Sequence, residues 1–246
     1  LWFIGAAALL VVTIPACNES QFLENAVKTL LKETSTLEND YVIVIAEDGS
    51  VDGTDAIAQR LAKGNPRVIH IHSDKKLGRG LALKNAWKKV NGSAYIYVDC
   101  DLATDMKYYP QLIAAVKNGY DLATGSRYID GAKVRRPGLR HFVSKMYNLM
   151  VRTAFKTRVY DHQMGFKAFS GKLVKDLLDV CESKDWFWDT EIIVRSIHKG
   201  YKCLEFPVEW EEKRGTRTPL KRLLKDVYIH GKGFFKLSVS LNKRTA

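Results

Sequence analysis

The chain has 246 residues, 39 Lys and Arg against 27 Asp and Glu for a formal net charge of +12, and 46% hydrophobic residues. That apolar content excludes global disorder, and the length leaves room for one large domain or two small ones. The four cysteines, Cys17, Cys100, Cys181 and Cys203, form no C-x-x-C pair, which argues against a zinc knuckle or disulfide scaffold and for reduced, buried thiols as in a cytosolic protein. The positive excess asks for a polyanionic partner, whether nucleic acid, anionic lipid headgroups or a phosphorylated substrate.

Residues 1–12 are uncharged and almost wholly apolar. Ten helical residues span about 15 Å, half of a bilayer's ~30 Å hydrocarbon core, so the stretch fits either a buried leader feeding a core strand or the remnant of a membrane anchor. Short β-rich runs then alternate with helix-period segments. Val11–Pro15, Tyr41–Glu47, Val68–His72, Tyr95–Asp99 and Leu122–Gly125 read as strands, and Gln21–Leu31, Thr54–Lys63, Gly80–Val90 and Met106–Lys117 as helices. This rhythm predicts an α/β fold: a single Rossmann-like domain with a mostly parallel central sheet and helices on both faces. The second half is less regular. A basic stretch, 133–140, leads into a helix ending at Phe155, the cluster Trp186–Glu191 opens another helix, and a strand lies near Leu204–Glu211. Towards the C-terminus Leu220, Leu223, Leu224, Val227, Tyr228, Phe234 and Phe235 recur at helical spacing among lysines and arginines. Such a basic amphipathic helix suits an anionic membrane surface, or equally a terminal helix packed on the domain, and Gly231 and Gly233 weaken its second half. The expected divisions are an apolar leader (1–10), a catalytic domain (11–215) and the basic C-terminal segment (216–246).

In such sheets ligands bind beyond the carboxyl ends of the strands, and there every strand runs into polar residues. Asp99 and Asp101 follow an apolar strand with one residue between them; an extended chain would point both carboxylates the same way, towards a hard divalent cation beside a diphosphate. Asp48 could accept from a nucleobase, while Asp52 and Thr54 suffice as a helix cap. Gly78-Arg79-Gly80 offers backbone amides and a cation. Arg127, Arg135, Arg136 and Arg140 form a basic set suited to phosphate.

The ordered succession I-P-A-C-N-E (14–19), E-D-G-S-V-D-G-T (47–54), G-R-G-L-A (78–82), D-C-D (99–101), G-S-R-Y (125–128), D-H-Q-M-G-F-K-A-F (161–169) and W-F-W-D-T-E (186–191) resembles the inverting GT-A glycosyltransferases of family 2. Within them it resembles the dolichyl-phosphate mannose and glucose synthases, over residues 11–215. The resemblance implies that Pro15, Ala16, Glu19, Asp48 and Arg79 line the nucleotide-sugar pocket, with Asp99 and Asp101 at the donor diphosphate holding Mg²⁺ or Mn²⁺. It implies that Arg127, Arg140 and Lys167 meet the acceptor phosphate, that Asp161 shapes the sugar and phosphate site, and that Asp189 and Glu191 contact the sugar. Ala103 stands where the mannose synthases often carry Gln, and Glu47 replaces the first Asp of D-D-G-S.

The expected activity is metal-dependent, inverting transfer of glucose or mannose, from UDP-glucose or GDP-mannose, to dolichyl or polyprenyl phosphate. Ala103-Thr104 and the tryptophan cluster lean towards glucose. The expected setting is the cytoplasmic face of a membrane, peripheral or anchored upstream, with a membrane-anchoring partner subunit among the partners considered. Three other readings stand beside it: transfer to a soluble sugar or protein hydroxyl, which needs a general base among Asp161, Asp189 and Glu191; a basic nucleic-acid- or membrane-binding module; and a catalytically inactive scaffold.

Overall fold

The computed structural model describes residues 9–135, 138–214 and 220–242. The first half alternates as its periodicity dictates: β1 (Leu10–Ala16), α1 (Leu23–Ser35), β2 (Tyr41–Glu47), α2 (Thr54–Gly64), β3 (Val68–Ile71), α3 (Arg79–Lys89), β4 (Ala94–Val98), α4 (Tyr109–Lys117) and β5 (Leu122–Ser126). There follow β6 (Lys133–Arg135), α5 (Gly138–Phe155), β7 (Phe166–Ser170), α6 (Gly171–Leu177), α7 (Trp188–His198), β8 (Cys203–Pro207), β9 (Glu209–Glu211) and α8 (Leu220–Asn242). Most of the apolar leader and Arg136 lie outside the described residues.

Seven strands form one sheet in the order β3-β2-β1-β4-β7-β5-β8. β7 runs antiparallel to its neighbours β4 and β5, and the other pairings are parallel. β1 pairs with both β2 and β4, so the winding reverses there and opens a crevice at the carboxyl ends of those strands. Alternation along the strands divides the core in two. On one face Leu23, Ala26, Val27 and Leu30 of α1, spaced to share one helix face, pack with Tyr109 and Leu112 of α4 on Val12, Ile14, Ile43 and Ile45. On the other, Leu83 and Trp87 of α3 meet Trp188, Ile192 and Ile193 of α7. Each such aliphatic side chain contributes ~1.5–3 kcal/mol by leaving water, and the buried Trp87 indole donates to Thr13 Oγ1 at 2.9 Å.

Three features depart from the sequence reading. β7, with Lys167 fully buried in mid-strand, reads as a motif rather than a strand, because a lysine in a central strand masks the apolar pattern. The single strand expected near 204–211 is two, and β9 pairs with β6, the basic stretch, in a separate parallel ribbon. α8 continues through both glycines. A Cβ at Gly233 would lie 2.3 Å from the Phe187 ring, whereas one at Gly231 meets nothing within 4 Å. Gly233 is therefore a contact point, joining α8 to a small third core of Val151, Phe155, Phe187, Val194 and Leu237. The two glycines should respond oppositely to alanine: Gly231→Ala should raise stability by about 0.5–1 kcal/mol through helix propensity, while Gly233→Ala should lower the melting temperature, as thermal unfolding would show.

Candidate active site

β4 ends at Val98, so Asp99 and Asp101 are not on an extended strand as expected. A tight turn brings them together: Leu102 N–H donates to Asp99 O at 3.0 Å and Leu102 takes φ of +46°, a left-handed conformation that is costly for a branched side chain. Gly165 makes room for this turn, since a Cβ there would lie 1.9 Å from Asp99 Oδ2. Asp101 Oδ1 accepts from Ala103 N–H at 3.2 Å.

Glu19, on the loop after β1, joins these acids through Arg214. The guanidinium bridges Glu19 Oε1 and Asp101 Oδ2, each at 2.8 Å. Burial, with the Asp101 and Asp99 charges, pushes Glu19 up to about 7 against the pull of Arg214. Asp99 is likewise raised, by desolvation and by Asp101, with Arg79 opposing. The site is thus a concentration of carboxylate oxygens that a protein-borne cation already occupies.

A buried network lies beneath it. Arg79 is held between Asp99 (3.1 Å) and Asp189, with the Trp186 ring stacked 3.8 Å from its guanidinium carbon. Asp189 also accepts from Tyr97 Oη and from Lys167 Nζ at 3.0 Å, and Lys167 donates in addition to Met164 O. Lys167 and Asp189 are fully buried. They hold Arg79 against Asp99 from below and offer no open face to phosphate or sugar. Glu191 faces another way, accepting from Glu182 N–H (3.1 Å), Ser183 N–H (2.8 Å) and Arg195 (2.8 Å), while Arg195 reaches Ser240 of α8 at 3.1 Å.

Arg127 and Asp161 form a second buried unit. Nε and Nη2 of Arg127 donate to the two Asp161 oxygens at 2.7 and 2.9 Å, and the Arg127 backbone N–H adds a third bond at 3.1 Å. Burial alone would raise Asp161, but Arg127 holds it below its ordinary value. Arg140, on the first turn of α5, pairs with Glu212 at 2.7 Å. Arg135, of the same predicted set, is exposed and only 3.8 Å from Glu211.

At the β1 and β2 ends, Asp48 accepts from Leu77 N–H at 2.6 Å and Gly78 N–H at 2.9 Å, clamping the loop before α3. Its own N–H donates to Ala16 O at 2.9 Å, and Pro15 is half-buried beside it. Asp52 accepts from Thr54 N–H at 3.1 Å and Ser20 N–H at 3.1 Å, and Thr54 Oγ1 accepts from Glu19 N–H at 2.8 Å; the first two loops are stitched together. Arg214 escaped the sequence reading, and Gly165 and Trp186 stood in its motifs without a role of their own. The run Lys213-Arg214-Gly215-Thr216-Arg217 just past the last strand was the available signal for Arg214, and the glycine of D-H-Q-M-G for Gly165.

The glycosyl transferase family 2 model matches residues 11–178, which takes in the first, second and fourth strand ends and both acids of D-C-D. The chain belongs to glycosyl transferase family 2. Glycosyltransferase AglD of Haloferax volcanii is 42% identical over 214 residues, 86% of this chain and 34% of the relative; the chain thus spans about a third of that protein. Polyprenol monophosphomannose synthase of Mycolicibacterium smegmatis is 31% identical over 177 residues, covering 70% of this chain and 67% of that one. Among solved structures, glucosyl-3-phosphoglycerate synthase from Mycobacterium tuberculosis with Mn²⁺, UDP-glucose and glycerol 3-phosphate superposes with a TM-score of 0.70 at 16% identity, covering 94% of this chain and 80% of that one. The GT-A fold expected from the resemblance is the fold found.

The Asp161 loop is secured by its neighbour. His162 is buried; its N–H and Nδ1 both meet Asn148 Oδ1 at 2.9 Å and its Nε2 meets Thr157 Oγ1 at 2.9 Å. Desolvation lowers its pKa to about 3. A histidine depressed from its ordinary 6.5 contributes stability that is complete above pH 6.5 and lost as pH falls towards 3, at ~1.4 kcal/mol per pH unit. The His162 ring resonances should therefore stay those of neutral imidazole from pH 8 to 4 by NMR; a midpoint near 6.5 would contradict the burial.

Proposed function

We propose that this protein transfers a hexose from a nucleotide diphosphate sugar to a polyprenyl phosphate, inverting the anomeric carbon, with the help of a divalent cation. The observation that carries this reading is that none of the three acids a hydroxyl acceptor would need as base is free. Asp161 is locked by Arg127, Asp189 by Arg79, Lys167 and Tyr97, and Glu191 by Arg195 and two backbone amides. A phosphate monoester has its second pKa near ~6 and is already anionic at neutral pH. Its oxygen forms the bond to C1 as the bond from C1 to the nucleotide diphosphate breaks, and no proton has to move. Relatives of matching chemistry support the reading: the polyprenol monophosphomannose synthase above and dolichyl-phosphate beta-glucosyltransferase ALG5C of Trichomonas vaginalis, 27% identical over 224 residues.

The oxygen-only donor set of Asp99 and Asp101, with Glu19 alongside, fits a hard cation such as Mg²⁺ or Mn²⁺, and Arg214 seated between Glu19 and Asp101 indicates that the spot accepts positive charge. Held there, such a cation supplies charge neutralisation for the departing diphosphate. The chain's own residues do the rest. Arg79, fixed by Asp189, keeps Asp99 oriented; Asp48 holds the Leu77–Gly78 loop as one wall of the nucleotide pocket, with Pro15 and Ala16 as another. Arg127 and Arg140 bring positive charge to the acceptor side, lowering the cost of aligning two anions. Asp101→Asn should reduce transfer to polyprenyl phosphate at least 100-fold in a radiolabelled-sugar assay while the fold, by circular dichroism, is retained. Transfer to a soluble alcohol but not to the lipid phosphate would favour the hydroxyl reading.

A polyprenyl tail stays in the bilayer, so the enzyme must come to the headgroups. α5 exposes Phe142, Met146, Leu149 and Met150, and α8 exposes Val227, Tyr228, Phe235 and Val239. The helices pack together through Tyr147 and His230 (ring centroids 4.9 Å) and Phe155 and Phe234 (4.8 Å). Exposed Lys145, Lys232 and Lys236 flank these rows. Apolar rows edged by lysine suit an anionic interface, and among the described residues no helix is long and apolar enough to cross a membrane. Binding to vesicles containing anionic lipid should weaken as salt rises, and Phe142→Glu with Phe235→Glu should weaken it further in co-sedimentation without lowering the melting temperature.

A further inference from the structure

Away from the D-C-D turn, at the outer edge of the sheet, a second group of metal-ligating side chains converges. Glu47 ends β2, His70 lies on β3 and His72 just past it, and Asp55 sits in the first turn of α2. Ile43 pairs with Val68 and Ala46 with Ile71, so Glu47 falls opposite His72 on the face towards α2, with His70 two residues away on the same side. One ligand atom from each of the four lies within 4.8 Å of the other three. Glu47 Oε2 is 2.6 Å and Asp55 Oδ1 3.1 Å from His72 Nδ1, and Asp55 Oδ1 is 3.4 Å from His70 Nε2.

We propose that Glu47, Asp55, His70 and His72 form a binding site for a borderline divalent cation of the zinc type, distinct from the carboxylate site at Asp99 and Asp101. Two imidazoles with two carboxylates suit Zn²⁺, while an all-oxygen set suits Mg²⁺ or Mn²⁺. Ligand atoms of a tetrahedral zinc lie about 3.3–3.6 Å apart, given ~2.0–2.2 Å bonds, so side-chain rotations of the observed cluster suffice to close it. Two further observations point to a ligand. His70 Nε2 is buried without a hydrogen-bond partner, in a side chain only 13% exposed. His72, whose Nδ1 faces the cluster, places Nε2 3.3 Å from Asp74 Oδ1, the outer carboxylate that orients a metal-binding imidazole through its second nitrogen. Glu47 is also steadied, its Oε1 accepting from Ser50 N–H at 2.5 Å. A cation here would pin the end of β2 to β3 and α2, immediately before Asp48 and the loop it clamps.

The test is zinc titration of the metal-stripped full chain by calorimetry, with Co²⁺ absorption as a spectroscopic reporter, in an Asp99→Asn/Asp101→Asn background that removes the other site. One zinc should bind per chain, Co²⁺ should show the intense visible bands of a tetrahedral site, and added His70→Gln/His72→Gln should weaken binding at least 100-fold and abolish the bands. If that variant does not fold, Asp55→Asn on the α2 surface should weaken zinc at least 10-fold. No binding in the background protein, or binding that survives these substitutions unchanged, would overturn the site and show the cluster to be an ion-pair network only. None of these readouts depends on sugar transfer.

Discussion

The structure rests on the crowding of charge where β1, β4 and β7 meet. Asp99 and Asp101 cannot both carry charge beside Glu19 without neighbouring cations, and the fold provides three. Arg79 and Lys167 reach the cluster from beneath through Asp189, and Arg214 spans it from above. Burying this many ionised groups is costly unless every one is paired, and the pairing fixes the segments that carry them: the end of β4, the start of α3, β7, α7 and the loop after β9. Removing one partner leaves another charge stranded, so the network acts as a unit.

That constraint explains features that look like ornaments of the sequence. Gly165 has no side chain because the Asp99 carboxylate occupies its place. Gly80 lies against Trp188, with a Cβ there only 2.5 Å from that residue's own, so Arg79 can enter the network from the first turn of α3. Trp186 closes over Arg79 from the solvent side. The Arg127–Asp161 unit repeats the logic beyond the end of β5, where Glu205 accepts the Tyr160 and Asp161 amides at 2.8 Å each and the centre of the Trp210 ring lies 5.3 Å from the Arg127 guanidinium carbon. Several acids that a reader of the sequence would assign to substrate thus serve as counter-ions, and this pairing is what supports the proposed pre-ionised acceptor.

The βα alternation of the first half, the polar edge at the strand ends and the pairing of Asp99 with Asp101 were all legible in the sequence. Hydrophobic periodicity is a local property, and strand ends announce themselves where apolar runs stop. β7 was not legible, because Lys167 breaks the pattern and is paired with Asp189, 22 positions away. The role of Gly233 was hidden for the same reason: whether a helical glycine is a weak point or a contact depends on Phe187, which no local window includes.

Taken alone, then, the residues determined the fold class, the polar edge of the sheet and the carboxylate character of the D-C-D turn, since each follows from spacing along the chain. The tertiary structure decided which charges are free and which are spent. It turned Asp161, Asp189 and Glu191 into partners of arginines and lysine, brought Arg214 back onto Glu19 and Asp101, and gathered two histidines and two acids at the opposite edge. Electrostatic pairing is set by distance through space and by exclusion of water, and neither is written in sequence separation.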